Sequence, residues 1–533
     1  MRKITYLFVS ALLVGHSMVY AQGEMDAYKL SESGLSGTAR YLGMGGAFGA
    51  LGGDVTVMTA NPAGLSIYRS SEVVTTLSLN MINTNTNWNG SKYDASRTKF
   101  NFDNIAYVAY FPTGGDNGIK GWNIGVAYNR LKTFNRTFRM SGQQTYSMGD
   151  YMADIAQMRG LNANDLISTD DYEAYDNASL PWLPILGMDG GLYTNFPNSN
   201  SRYHSEFGEW RGNTWYNFNP DNTSLEMREK GAIDQYNFSF STNISDRVFL
   251  GATLSVTDIN YKLSSNYYEE GFGNTDDDYL LLDNGLSTEG TGYSVNVGTI
   301  IRPVDFLRVG VAYNSPTWYK MTDYFNGYAE TYNSFYPGDD AKKWGATPEY
   351  AFYDYKLRTS DKWIFSAACI FGQGALLSVD YELINYKNMY LSDREDRGFA
   401  DNDFIKEDFG TSQNLKVGAE VKVTPQLAVR AGAAWQTSPI KANLMNGATE
   451  VLTAGTIPHY TIDKGVSSYS LGLGYRFTPN CYADLAYVLR THKEEAYAFS
   501  RTFDDNGATI IDSTPAALKT KTARIAFTLG FKF

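Results

Sequence analysis

The sequence predicts an all-β fold, a transmembrane β-barrel of fourteen antiparallel strands, and three observations predict it. Beyond the N-terminus no run approaches the roughly 18 to 20 apolar residues of a spanning helix. Period-two alternation recurs from Glu72 onward, the pattern of strands with one apolar and one polar or small face. The connections between these strands alternate short and long, as in outer-membrane barrels. Composition agrees: the chain of 533 residues carries 40 Tyr, 29 Phe and 9 Trp, yet mean hydropathy is only -0.34. Only a closed barrel reconciles many aromatic residues and no apolar helix with membrane crossing.

The chain opens on an export signal. Arg2 and Lys3 supply the positive region, Tyr6 to Val14 the apolar region and Val19-Tyr20-Ala21 the small-residue cleavage site. Residues 1–21 are therefore expected to be a signal peptide cut after Ala21. Residues 22–71 form a separate N-terminal segment containing a glycine-rich run from Thr38 to Asp54 and then Asn61-Pro62-Ala63-Gly64-Leu65. Such glycines permit sharp backbone paths and close approach to another surface. The run lacks G-x-x-x-x-G-K-[ST] and any dinucleotide fingerprint, which excludes a phosphate loop.

The barrel is expected over 72–533, with strands near 72–80, 101–111, 121–134, 232–244, 247–261, 292–301, 307–319, 353–371, 375–387, 413–423, 427–436, 468–477, 481–490 and 519–533. Residues 353–371 are kept as one strand because single-chain bacterial barrels have an even number. The last strand sets Ile525, Phe527, Leu529, Phe531 and Phe533 against Arg524, Ala526, Thr528, Gly530 and Lys532. Around Leu415, an apolar row opposes Lys416, Gly418, Glu420 and Lys422, a face too charged for a dry sandwich core. Tyr469, Leu471, Leu473, Tyr475 and Phe477 oppose Ser470, Gly472, Gly474 and Arg476, with aromatic residues at both ends as an interfacial girdle requires. Short turns fall at Pro112 to Lys120, Ser245-Asp246, Arg302 to Phe306, Gly372 to Gly374, Thr424 to Gln426 and Thr478 to Asn480. Long loops are expected at 81–100, 135–231, 262–291, 320–352, 388–412, 437–467 and 491–518. The 135–231 extracellular loop is too long to be structureless, and a helical turn is expected near Tyr151 to Met158 with the loop folding over the barrel mouth.

The net charge of -12 argues against a nucleic-acid partner. Cys369 and Cys481 are the only cysteines, which excludes a disulfide framework and a cysteine metal site, while a pairing between the two stays open. Past the signal only His204, His459 and His492 remain, all in expected loops. The sequence therefore offers no catalytic triad, no metal site and no cofactor, and an enzyme is not expected. Asp276-Asp277-Asp278 lacks the spacing of a calcium loop and reads as a solvated acidic turn.

The sequence resembles the FadL/TodX family of outer-membrane transporters of long-chain fatty acids and other hydrophobic compounds, in its Bacteroidota form. The residues that carry the resemblance are Ala39-Arg40-Tyr41-Leu42-Gly43-Met44-Gly45-Gly46-Ala47, Asn61-Pro62-Ala63-Gly64-Leu65, Tyr313-Asn314-Ser315-Pro316-Thr317-Trp318-Tyr319, Ser378-Val379-Asp380-Tyr381-Glu382, Arg430-Ala431-Gly432 and the terminal Phe533. It spans essentially the whole mature chain. It implies that residues 22–71 are a hatch filling the lumen, with Asn61, Pro62 and Ala63 as gating residues. The small inward residues Gly125, Ala127, Gly251, Gly310, Ala312, Gly418, Gly432, Gly472 and Gly474 would then leave room for it, with eased barrel twist as the competing reason.

The function so implied is passive import of hydrophobic small molecules, long-chain fatty acids by default: capture among the loops, transfer into the barrel, and release past a shifting hatch or sideways. The sideways exit lies beside a distorted third strand, here Trp122 to Phe134, whose sequence carries no kink signal of its own. A carboxylate head would select an inward cation, and strand parity offers Arg308, Arg430 and Arg476, each with wall stabilisation as a competing role. The other partners expected are outer-membrane lipid and, through the strand ending at Phe533, the barrel assembly machinery. Two further functions compete: a protein-interaction component such as a type IX secretion shuttle, and an open diffusion porin.

Overall fold

The computed structural model describes residues 23–32, 34–113, 118–177, 179–273, 275–349, 352–372, 374–451, 453, 455–504 and 506–533. The segment 1–21 read as a signal peptide lies outside them. Fourteen antiparallel wall strands follow in chain order: β1 (Glu72–Trp88), β2 (Ser91–Pro112), β3 (Ile119–Thr133, continued by Arg136–Gly142), β4 (Pro220–Ile244), β5 (Val248–Phe272), β6 (Thr275–Val304), β7 (Leu307–Asn314, continued by Trp318–Tyr332), β8 (Phe352–Arg358, continued by Lys362–Phe371), β9 (Ala375–Asn385), β10 (Thr411–Lys422), β11 (Leu427–Gln436), β12 (Tyr460–Arg476), β13 (Cys481–Tyr497) and β14 (Ala516–Lys532). Each pairs with the next, and β14 closes the wall on β1 from Glu72↔Lys532 to Asn87↔Ala517.

The alternation dictates the two faces. On β14, Ile525, Phe527, Leu529, Phe531 and Phe533 point outward and are exposed, while Ala526 and Thr528 are buried inside. Aromatic residues ring the outer surface at two heights. Phe111, Phe306, Phe371, Phe477 and Phe533 lie by the short turns, and Tyr236, Tyr293, Trp318, Trp363, Trp435 and Tyr469 lie at the other end. Tyr469 lies on β12 and Phe477 just past its end, eight residues apart. At ~3.4 Å per residue and ~40° of tilt that is about 21 Å, close to the ~25 Å apolar band of an outer-membrane barrel.

The strands run well past this band on the loop side. β6 alone has 30 residues, against the ~9–11 that cross a bilayer. Segments 81–100 and 262–291, expected as loops, are hairpin arms: β1 pairs with β2 up to Trp88↔Ser91, and β5 with β6 up to Phe272↔Thr275. The first arm turns on Asn89 and Gly90, at φ 48° and 91°, the left-handed pair of a two-residue hairpin turn. β8 occupies one wall position as expected, but it is interrupted at 359–361 beside a break in β7 at 315–317. Pro316 has no N–H to give the ladder, and Thr317 and Thr359 bridge the breaks through Thr317 N–H to Thr359 Oγ1 (2.9 Å) and Thr359 N–H to Thr317 O (3.1 Å). Cys369 and Cys481 are free thiols.

Within 135–231 the helix α3 (Met148–Met158) carries a capping box, Ser147 with Asp150. Its buried face includes Tyr151, whose ring stacks on Phe499 at 5.1 Å. Trp182 packs on Tyr175 and Phe325, and Trp210 meets Trp215 across a small hairpin. A large apolar core joins this region to the upper strands.

Candidate functional site

The chain ahead of β1 runs through the barrel interior, and its shape follows from local capping. It contains α1 (Glu24–Ser31), α2 (Ala39–Gly43) and two 3-10 turns, Val55–Met58 and Pro62–Ile67. Thr38 caps α2 by accepting from Tyr41 N–H at 3.1 Å and donates to Asp54 at 2.6 Å. Asp54 accepts from Thr56 N–H at 2.9 Å, capping the first turn. Asn61 caps the second, accepting from Ala63 N–H at 3.2 Å, with Pro62 at the first position where no donor is needed.

The segment meets glycines around the inner wall. A methyl placed on Gly125, Gly251, Gly298, Gly310, Gly418, Gly432 or Gly472 would collide with Met58, Pro62, Asn61, Gly49, Met44, Gly45 or Gly43 respectively. Gly474 differs from its neighbours, facing Asp484 and Arg430. Wall side chains bind the segment's backbone. Asp380 Oδ2 accepts from Phe48 N–H and Gly49 N–H at 2.9 and 2.8 Å; Ser470 Oγ accepts from Gly45 N–H at 3.1 Å; Thr528 Oγ1 accepts from Ala39 N–H at 2.7 Å. Asn61 Nδ2 donates to Gly49 O (2.6 Å) and to Thr299 O on β6 (3.2 Å), so this residue joins two parts of the segment to the wall.

The cations expected from parity have other work. Arg430 is buried between Glu420 (2.6 Å) and Asp484 (2.5 Å), and Arg40 from the segment shares Glu420 at 3.0 Å. A fully paired arginine is poorly placed to take a ligand carboxylate, because freeing it leaves buried charges without partners. Arg308 donates to Leu51 O at 2.6 Å. Arg308 and the exposed Arg476 line a cavity of 470 Å³ at the short-turn end, bounded on the inner side by Arg40 and Leu51 to Asp54.

Two smaller cavities lie on the other side of the segment. The first, 170 Å³, takes its walls from α1, from β1 and β14, and from β3; Met25, Ile82, Leu131, Phe134, Leu263 and Ile457 give it apolar surface. The second, 190 Å³, shares Glu32, Leu35, Leu131, Lys132 and Arg490 with it and is more polar. Arg524 lines the first cavity and, among the described residues, its hydrogen bonds go to neutral acceptors, Asn80 Oδ1 (2.7 Å) and Leu35 O (3.0 Å), with Asp103 nearby as a charge that attracts it. Arg490 reaches Glu32 at only 3.6 Å. These two arginines were not singled out from the sequence; the inward parity of Arg524 was legible, but not its depth beside a cavity.

α1 is held by charge and aromatic contacts. Lys29 pairs with Glu229 at 3.0 Å, Lys132 with Glu32 at 2.8 Å, and Tyr28 donates to Asp463 at 2.7 Å while its ring meets Tyr386 and Phe409. Burial works against ionising Glu32, yet Lys132, His492 and Arg490 hold its carboxyl down to about 2. The neighbouring His459, in the 437–459 loop, is pushed down to about 4 by burial and is therefore a neutral wall residue.

β3 is distorted where it borders the first cavity. Its pairing with β2 stops at Asn104↔Asn129, whereas β2 continues to Ser91. A register shift skips Leu131 against β4, and the continuation Arg136–Gly142 pairs with β4 alone. The backbone ladder between β2 and β3 thus ends above Asn104, beside Leu131 and Phe134.

Residues 236–533 match the family model described as outer membrane protein transport protein (OMPP1/FadL/TodX). A Pseudomonas aeruginosa FadL homologue shares the fold at TM-score 0.50 and 14% identity, over 94% of this chain and 99% of that one. The Pseudomonas putida toluene transporter TodX aligns at TM-score 0.46 and 12% identity over 94% and 100% of the two chains. The CymD monoaromatic hydrocarbon channel aligns at 0.45 and 11% over 94% and 98%. No curated protein matches the chain. With more than half its length matched by that family model and a closed barrel of fourteen strands, the chain belongs to the OMPP1/FadL/TodX family of bacterial outer-membrane transport proteins.

Proposed function

We propose that the protein imports hydrophobic small molecules across the outer membrane, with long-chain fatty acids as the ligand class, and that residues 22–71 act as its hatch. The observation that carries this reading is the first cavity, where apolar walls meet two arginines with spare donors, Arg490 and Arg524. An apolar chain gains roughly 25 cal/mol per Å² buried, and a carboxylate head gains a charge-assisted hydrogen bond. That pairing suits an amphipathic acid better than a neutral arene such as the toluene carried by TodX.

At 170 Å³ the cavity is smaller than the ~300 Å³ of ordinary ligand pockets. A long-chain ligand therefore enters only as α1 yields, which couples loading to movement of the hatch. Release follows by the lumen, past Asn61 to Ala63, or sideways where the β2–β3 ladder ends. Arg308 and Arg476, at the far mouth, would meet the ligand last. A diffusion porin is disfavoured by the occupied lumen, and a protein-shuttle role draws on no feature of this cavity.

The test is labelled oleate uptake in a deletion strain carrying Lys29→Cys with Glu229→Cys, with Cys369 and Cys481 replaced by serine and the new pair joined by a reducible bis-methanethiosulfonate linker. The Lys29 and Glu229 side chains meet at 3.0 Å between α1 and β4, so the linker spans a gap that they close in the native chain. Cross-linking is expected to stop uptake and reduction to restore it to the level of the unlinked variant. Uptake that persists when the cross-link is complete rejects hatch movement, and wild-type uptake no greater than that of the deletion strain rejects the ligand class.

A further inference from the structure

The end of the β2–β3 ladder leaves a strand edge unused. β2 pairs with β1 along its length, but from Ser91 to Asp103 its other edge receives no backbone hydrogen bond from any element among the described residues. β3 does not follow it, and the continuation Arg136–Gly142 lies instead on the inner side of the hairpin, where Thr86 hydroxyl donates to Arg139 O. Along the arm 91–100 no residue is fully buried. The arm stands beyond the apolar band: Ile525 on β14 aligns with Leu79, and the next outward residues up that strand lead to Lys521 and Lys519, aligned with Asn83 and Asn85. An exposed edge of this length is a template for another strand.

Its charge is opposite to that of the whole chain. Lys92, Arg97 and Lys99 lie on the arm, Arg139 sits over the Tyr93 ring at 5.3 Å, and Lys519 and Lys521 lie on the adjoining outer face. The one acid of the arm, Asp94, is already bonded to Asn85, and none of these six cations is in an ion pair among the described residues. In a chain of net charge -12, that is a local excess of positive charge, three cations to one acid on the arm itself, along an open hydrogen-bonding edge.

We propose that the β2 edge from Ser91 to Asp103 docks an extended acidic peptide segment of a partner protein, which adds to the barrel wall as an extra strand. Main-chain hydrogen bonds supply the affinity of such strand addition, and side chains on alternate faces supply the choice of partner. Acidic residues facing inward meet Arg97 and Lys99, and those facing outward meet Lys92. A second copy of this chain is the wrong occupant, because edge-to-edge pairing sets these same cations against each other. The site goes beyond small-molecule import and uses none of the cavity residues.

The test uses the full chain in nanodiscs and a labelled eight-residue peptide of alternating glutamate and valine, with the lysine and valine peptide as its counterpart. The acidic peptide is expected to bind and to slow amide exchange across 91–103, with the basic peptide binding at least about tenfold more weakly. Lys92→Glu with Arg97→Glu and Lys99→Glu is expected to reverse that order while leaving heat-modifiable migration of the barrel unchanged. The proposal is overturned by acidic-peptide binding that leaves 91–103 unprotected, by no binding, or by sedimentation showing a dimer with that edge protected. Loss of oleate uptake in wild type would strike the import reading alone.

Discussion

Gly432 on β11 offers the sharpest perturbation of the proposed hatch. A methyl at this position would stand 2.7 Å from Gly45 Cα and closer still to the Gly45 nitrogen and the Met44 carbonyl carbon. Ordinary carbon contacts begin near ~3.5 Å, so Gly432→Ala forces the segment off the wall by about 1 Å or more. The obstacle is backbone and has no rotamer to change. A shift of that size takes Gly45 N–H, now 3.1 Å from Ser470 Oγ, out of hydrogen-bonding range. Overpacking of this kind costs ~1–3 kcal/mol, which multiplies the displaced population by roughly 5- to 150-fold. Planar-bilayer conductance reads the result, with amide exchange over 39–53 as the structural companion and heat-modifiable migration as the check on folding. Gly374→Ala, at a turn with open space around it, is the control and is expected to change nothing. If Gly432→Ala folds normally and leaves both conductance and exchange at wild-type values, the segment does not seal the lumen.

Three other outcomes are expected. Asp380→Ala removes the acceptor of two backbone donors, Phe48 and Gly49; at ~1.5–3 kcal/mol for a charged hydrogen bond, exchange at those two amides should quicken by at least about tenfold. Arg490→Gln with Arg524→Gln should weaken oleate binding by roughly 10- to 150-fold, on the same basis, and leave toluene partitioning into the protein unaltered; equal losses for both ligands would reject a role in head-group selection. The third is a pH effect on the cap. Burial raises the carboxyls of Asp150, at the start of α3, and of Glu269, which receives Met148 N–H at 2.9 Å, and both reach about 7. The folded cap then holds protons that the unfolded chain releases at ordinary carboxylate values, so docking of α3 is strongest below about pH 4, weakens as pH rises and has lost this contribution above about pH 7. Limited proteolysis in 148–158 should accordingly be slower at pH 5.5 than at pH 8, with rates normalised to a denatured control; the opposite order would refute the assignment.

The barrel was legible in the sequence because each wall residue answers to one local rule: alternate faces see lipid and lumen, so Leu471 and Gly472 differ for reasons that are visible in the string itself. Strand ends were less legible. Above the membrane both faces of an arm meet water, the alternation fades, and 81–100 reads as loop although Asn89-Gly90 is a strong hairpin signal. The same limit hid the continuation of β5 and β6. Parity correctly turned Arg430 inward, but its partners Glu420, Asp484 and Arg40 come from other strands and from the far N-terminus. No pattern along one strand distinguishes a cation already neutralised from one left available, as Arg524 is. The break in pairing between β2 and β3 is likewise a relation between two strands, and neither strand alone announces it.

The glycine-lined seat of the N-terminal segment also sets a timetable for assembly. The segment is made before any strand of the barrel, yet several of its fixed points arrive late: Asp380 lies 331 positions beyond Gly49, Ser470 425 beyond Gly45 and Thr528 489 beyond Ala39. Contacts of such long sequence separation form slowly. Part of its seat, at Gly125, Gly251 and Thr299, is made earlier, but the seat is complete only when the last third of the barrel exists, and the segment must already be inside when β1 and β14 zip together. Closure of that seam is the step that commits the enclosed segment to its place, so a chain whose final strand is delayed should accumulate as an open sheet with residues 23–71 still open to protease.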